Sequence, residues 1–301
     1  MTTHESLTTG VFPAMVTPFD ESLDIDHRTL AAEAQRLEAA GVAGLVPVGS
    51  TGESATLTHE EHIEVVETVV EAVSDIPVIA GTGSNNTQEA IDLSQGAADA
   101  GADGVLLISP YYNRPEPAGM EDHFRQIADS VDIPQIPYNV PGRTGRTIEV
   151  ETLVSLASHE NIIGYKAASS DLEHISAVAE QTVDEDFAII SGDGGVNLPI
   201  LAIGGTGAIS VAANVVPERL NALFDAALSG DYDTARTIHY ELGPLFRTLF
   251  VESNPIPVKE ALAMLGYIDP ILRPPLSRLS AADRPALESV LSELGCNLSD
   301  K

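Results

Sequence analysis

The sequence predicts an α/β protein of the (β/α)8 TIM-barrel class with a C-terminal helical extension. Three observations carry this expectation. Eight short apolar segments rich in Val and Ile recur at a fairly steady interval over residues 1–216. Stretches of helical periodicity lie between them, and after Pro217 the strand signal stops while further helical stretches continue. Near-continuous apolar strands belong in a parallel sheet covered on both faces, and eight such units within about 200 residues favour a closed barrel. A doubly wound open sheet is the structural alternative.

The candidate strands are residues 11–16, 44–48, 77–80, 104–108, 133–138, 162–166, 187–190 and 208–211. Helical periodicity marks residues 29–40, 60–73, 87–100 and 172–182. Thr58 with Glu61, and Asn86 with Glu89, have the three-residue spacing of a capping box, and Gly41 and Gly101 suit left-handed helix ends. Residues 218–228, 232–252, 257–265 and 281–294 read as helices. They are too few and too continuous with the barrel to form a second domain, so residues 217–301 are expected to pack on it.

Charge excludes several partners. Subtracting 45 Asp plus Glu from 15 Lys plus Arg gives a formal net charge of -30, which repels nucleic acid and anionic membranes. Only Lys166, Lys259 and Lys301 are lysines; the other basic residues are arginines. Dense carboxylates with few lysines suit a halophilic enzyme, hydrated and soluble where the Debye length is ~3 Å or less. Cys296 is the only cysteine, so no intrachain disulfide forms. Residues 1–10 lack the basic and apolar parts of a signal peptide, and no apolar run reaches the roughly 18 residues of a membrane helix. The expectation is a soluble cytoplasmic protein. His59 and His62 are one turn apart on an acidic stretch without further ligands, so no metal site is expected and both are assigned to a solvated helix face.

The chemistry gathers after the strands. Gly49-Ser50-Thr51-Gly52-Glu53, Ser109-Pro110-Tyr111-Tyr112, Tyr138-Asn139-Val140-Pro141-Gly142-Arg143, Lys166 and Gly192-Asp193-Gly194 all follow apolar runs, and in a parallel barrel those ends share one rim. Lys166 closes such a run, where an ammonium must find a partner or lose its proton. A desolvated lysine can attack a carbonyl and form a Schiff base. The scarcity of lysines favours that role over a strand-end lysine reaching solvent. The Gly-rich turn at 49–53 suits a carboxylate or phosphate but matches neither the P-loop nor the dinucleotide pattern, so no nucleotide cofactor is expected.

These residues, together with Ile162-Ile163-Gly164-Tyr165-Lys166 and Asn254-Pro255-Ile256-Pro257-Val258-Lys259, resemble a known family over nearly the whole chain. It is that of the Schiff-base aldolases and lyases of the dihydrodipicolinate synthase and N-acetylneuraminate lyase type, with the synthase branch nearer. The resemblance implies a homotetrameric lyase of lysine (diaminopimelate) biosynthesis. Its substrates would be pyruvate and aspartate semialdehyde, joined through a covalent lysine imine, and it would need no separate cofactor. By resemblance, Lys166 forms the imine, Tyr138 exchanges protons, and Thr51 and Tyr112 form the relay, Tyr112 across a subunit interface. Arg143 holds the aldehyde's carboxylate, while Ser50, Gly192 and Ile209 line the pocket. Ser54, Ala55, His59, His62, Asn85, Glu89 and Tyr111 match the effector positions of lysine-regulated members. Ser50, Ala167 and Gly194 depart from the synthase pattern. A sugar-acid or neuraminate-type pyruvate aldolase is therefore the alternative, followed by a non-catalytic metabolite-sensing barrel.

A chain of charge -30 repels itself at low ionic strength. Its melting temperature is expected to rise with added KCl in a thermal scan, and a flat response up to molar salt would contradict the high-salt assignment.

Overall fold

The computed structural model describes residues 3–299. Seven parallel strands form one sheet: β1 (Gly10–Pro13), β2 (Ile79–Gly81), β3 (Gly104–Ile108), β4 (Gln135–Asn139), β5 (Gly164–Ala167), β6 (Ala188–Ser191) and β7 (Gly207–Ser210). Their order is β1-β7-β6-β5-β4-β3-β2. The expected strand at 44–48 is the exception, since it makes only isolated bridges, Ala14 with Val46 and Leu45 with Val78.

That segment nonetheless closes the barrel. Met15 N–H donates to Val46 O and Leu45 N–H to Pro77 O, both at 2.9 Å, while Gly81 N–H donates to Pro47 O at 3.0 Å. Pro47 and Pro77 have no N–H to contribute, which breaks the ladder into single bridges. Val48, next along, has a φ of 49°, an unusual conformation for a β-branched residue that ends the strand and starts the turn at 49–53.

The helices follow local chemistry. Thr58 and Glu61 cap helix His59–Ala72 reciprocally, as expected. The second expected box is only half formed: Asn86 accepts from the N–H groups of Gln88 and Glu89, but the Glu89 carboxylate turns away to Ser84 and His59. Gly41 and Gly101 end their helices at positive φ. Three cores result. One lies between strands and outer helices, a second fills the barrel, and a third joins the extension to β1 and β7. Leu7, from the short helix His4–Thr8, enters the barrel core. Among the described residues no helix is long and apolar enough to cross a membrane.

The extension comprises Pro217–Leu228, Tyr232–Thr248, Ile256–Met264 and Arg284–Glu293. Leu220, Leu223 and Phe224 of its first helix share the core of Val11 and Ala208, so it packs as the last barrel helix. A buried ion pair fastens the third helix: Lys259 pairs with Glu53, both side chains fully removed from water. The Lys259 ammonium also donates to Ile271 O at 2.8 Å and faces the Phe19 ring at 4.2 Å. Glu53 in turn accepts from Arg273 N–H at 3.1 Å.

Replacing Lys259 by Met leaves the Glu53 carboxylate buried without its cation, and the expected loss of stability is about 3–5 kcal/mol. Adding Glu53→Gln to Lys259→Met is expected to recover part of it in urea unfolding.

Candidate active site

Strands β4 and β5 create the centre of the site. Side chains alternate along a strand. Tyr165 and Ala167 lie in the outer core beneath the helices, so Lys166 between them turns into the barrel. Tyr138 stands opposite it in register on β4. The Lys166 Nζ lies 4.2 Å from the centroid of the Tyr138 ring. Gly192 makes the room: a Cβ there would stand 2.8 Å from Lys166 Cε and 2.7 Å from Ala168 Cβ.

Around Lys166 is a cavity of about 350 Å³, with Ser50, Thr51, Tyr138, Arg143, Gly192 and Asn254 in its wall. Lys166 is only 6% exposed, and burial with the nearby Arg143 charge lowers its pKa to about 7. Burial pushes the Tyr138 phenol up to about 12, against the opposing pull of Arg143 and a hydrogen bond with Ser50. The geometry thus holds an amine that is readily neutral beside a phenol that keeps its proton. Such a pair can attack a carbonyl and hand a proton to the resulting oxygen.

The sequence singled out Lys166 partly through the scarcity of lysines, but the structure buries a second one. Lys259 is buried even more completely. Its pKa falls to about 8 through burial, while Glu53 opposes that fall. Partners separate the two. Lys259 has a carboxylate and a carbonyl, whereas no ion pair or hydrogen bond holds Lys166 Nζ among the described residues.

Asn254 joins the extension to this cavity. Its Nδ2 donates to Thr51 Oγ1 at 3.0 Å, and its backbone oxygen accepts from Arg143 at 2.8 Å. The sequence drew attention to the segment 254–259 but gave Asn254 no role; a side chain beside a proline carries no signal of which barrel loop it will meet. Phe246 and Phe250, also in the wall, come from the extension and were not anticipated. Phe246 packs against Gly194, where an added Cβ would stand 2.4 Å from its ring, which accounts for glycine at that position. Ala167 is fully buried among hydrophobic side chains, where a glutamate would need a buried partner.

Two expected residues lie outside the Lys166 cavity. Ile209 lines a small adjoining recess with Gly192, while Val211 takes the place in the main wall. Tyr112 is 91% exposed with a φ of 65° and does not reach the cavity within one chain.

A second cavity of about 500 Å³ lies behind a shared wall of Ser50, Tyr138, Arg143 and Asn254. Ser54, Ala55, His59, His62, Glu89 and Tyr111 line it, and Asn85 adjoins it, donating to Tyr111 O at 3.3 Å. The histidines do not share a solvated face. His59 is exposed and pairs with Glu89 at 2.8 Å, but His62 is buried, and burial lowers its pKa to about 4. His62 shares the buried face of its helix with Val65, Val66 and Val69, whereas His59 lies off that face. Burial and Glu89 raise the pKa of the Tyr111 phenol. Among the described residues no group of three or more His, Cys, Asp or Glu side chains is placed to hold a metal ion.

The profile of the Dihydrodipicolinate synthetase family matches residues 7–294. The chain is 64% identical to the 4-hydroxy-tetrahydrodipicolinate synthase of Natronomonas pharaonis, over 97% of this chain and 99% of that protein. It is similar to the chloride-inhibited dihydrodipicolinate synthase of Acinetobacter baumannii complexed with pyruvate, with a TM-score of 0.94, 38% identity and coverage of 96% of this chain and 100% of that one. The corresponding structure from Cyanidioschyzon merolae has lysine bound; it matches with a TM-score of 0.93 and 38% identity, over 96% of this chain and 99% of that one. Lys166, Tyr138 and Arg143 around one cavity, in a barrel matched by that profile across almost its whole length, place the chain in the Dihydrodipicolinate synthetase family.

Proposed function

We propose that this lyase condenses pyruvate with L-aspartate-4-semialdehyde through an imine on Lys166, giving 4-hydroxy-tetrahydrodipicolinate for lysine and diaminopimelate biosynthesis. The observation that carries the reading is the buried, unpaired Lys166 amine beside Tyr138 in a cavity that also holds Arg143. The neutral amine attacks the ketone carbon of pyruvate, and loss of water gives the imine. Removal of a methyl proton then gives an enamine, whose carbon attacks the aldehyde and restores the imine. The amino group of the semialdehyde then adds to that imine carbon and displaces Lys166, which closes the ring and frees the lysine. No separate cofactor enters the scheme.

Tyr138 is assigned the proton transfers onto and off the carbinolamine oxygen, with Thr51 carrying protons onward. Arg143 is assigned the carboxylate of the semialdehyde, since its guanidinium fork suits a carboxylate. That choice favours a short acidic aldehyde over a neutral sugar chain. Ser50 supports the Tyr138 oxygen through its hydrogen bond. Tyr112 enters the relay only if a second copy of the chain presents it, and its exposure leaves it free to meet a neighbouring subunit of the proposed homotetramer.

Turnover is expected with pyruvate plus aspartate semialdehyde and not with neutral sugar aldehydes. Borohydride reduction with pyruvate should label Lys166 and leave Lys259 unlabelled. Because the neutral amine reacts, initial trapping should rise as pH passes up through about 7. Arg143→Met removes a positive neighbour and should move that midpoint upward. A label on Lys259, read by mass spectrometry of the digest, would overturn the assignment.

The second cavity is assigned to lysine as a feedback effector. The Glu89 carboxylate, now bound to His59 and Ser84, would exchange these for the effector's ammonium. Millimolar lysine is expected to lower the initial rate at saturating pyruvate, and Glu89→Ala to abolish that response. Inhibition that survives the substitution excludes this cavity.

A further inference from the structure

The hydroxyl of Thr51 is buried at the edge of the Lys166 cavity, and a relay works only if its single proton points the right way. A hydroxyl has one proton and two lone pairs. The Asn254 Nδ2 donates to Thr51 Oγ1 at 3.0 Å, so one lone pair is filled and the proton is barred from that direction. We infer that Asn254 is a positioning residue of the condensation: its amide orients the Thr51 hydroxyl, while its backbone oxygen separately holds the Arg143 guanidinium. This rests on the reading of Thr51 as part of the proton relay.

Three observations converge on it. Asn254 is 6% exposed and reaches Thr51 across 203 positions of sequence, from a segment outside the strand repeat. Its backbone oxygen accepts from Arg143 at 2.8 Å, so one residue meets both the proton-transfer side of the cavity and the carboxylate side. Both ends of the Asn254–Thr51 bond are braced, because Lys259 and Glu53, the partners of the buried ion pair, lie five residues after Asn254 and two after Thr51. A side chain that only filled space between barrel and extension would not need an amide there, and its Oδ1 is buried without a hydrogen-bond partner. That leaves the donor as the group the position uses.

The backbone bond to Arg143 does not depend on the side chain, so substitution separates the two contacts. Asn254→Ala is expected to lower kcat roughly tenfold through the misoriented hydroxyl, with the aldehyde KM changed less than about twofold because Arg143 keeps its acceptor. Asn254→Asp, of the same shape but able only to accept, should capture the Thr51 proton and lower kcat at least as far. The deciding measurement is a double-mutant cycle with Thr51→Val. In that background Asn254→Ala should change kcat less than about twofold, since there is no hydroxyl left to orient. Equal losses in both backgrounds, or a change confined to the aldehyde KM, overturn the inference. An unchanged kcat in Thr51→Val alone overturns the relay itself, and the inference with it. The final extent of pyruvate labelling of Lys166 under borohydride, retained in all variants even where its rate falls, distinguishes lost proton transfer from a collapsed cavity. Labelling absent at completion in Asn254→Ala marks a structural role and overturns the proposal.

Discussion

A glutamate and a lysine, both removed from water, tie the helical extension to the turn that follows the second barrel position. Glu53 and Lys259 are each too costly to bury alone, so each requires the other in place. Glu53 ends the turn that carries Ser50 and Thr51, at a φ of 56° that few side chains adopt. Lys259 sits in the helix that begins just after Asn254. Holding these two groups together sets the distance between turn and extension, and hence the wall shared by both cavities. The extension is therefore part of the site, supplying Asn254, Phe246 and Phe250 to a pocket whose reactive groups stand on barrel strands.

The two buried lysines show how surroundings decide chemistry. Burial lowers the pKa of both, but only Lys259 has a carboxylate to hold its proton. Near Lys166 the charged neighbour is Arg143, whose sign works the other way. An amine with no acceptor to bind its proton and a cation nearby is the easier one to deprotonate. The arrangement that makes Lys259 a fastener is thus the one Lys166 lacks.

The barrel repeat was legible because each unit is local. Runs such as 104–108 and 162–166 are apolar on both faces, and helix periodicity between them needs no knowledge of the rest of the chain. The segment 44–48 read as a strand for the same reason. Yet Pro47 within it and Pro77 opposite cannot donate, and the result is single bridges. The Thr58 cap was legible in full and the Asn86 cap only in half, since Ser84 and His59 compete for the Glu89 carboxylate. His62 looked solvated beside three acidic neighbours, but it stands three and four residues before Val65 and Val66, on the face that the helix buries.

By itself the sequence determined the strand-helix alternation, the helical extension, the rim on which polar residues gather, and Lys166 at the end of an apolar strand. Each depends on neighbours within a few residues, where periodicity and capping operate. Tertiary structure decided which lysine is paired, that Asn254 meets Thr51 and Arg143, that Phe246 closes on Gly194, and that Tyr112 points away from its own cavity. Those outcomes depend on contacts between segments up to 203 residues apart. They follow from how a closed barrel orients its loops against the packed extension, which no local pattern encodes.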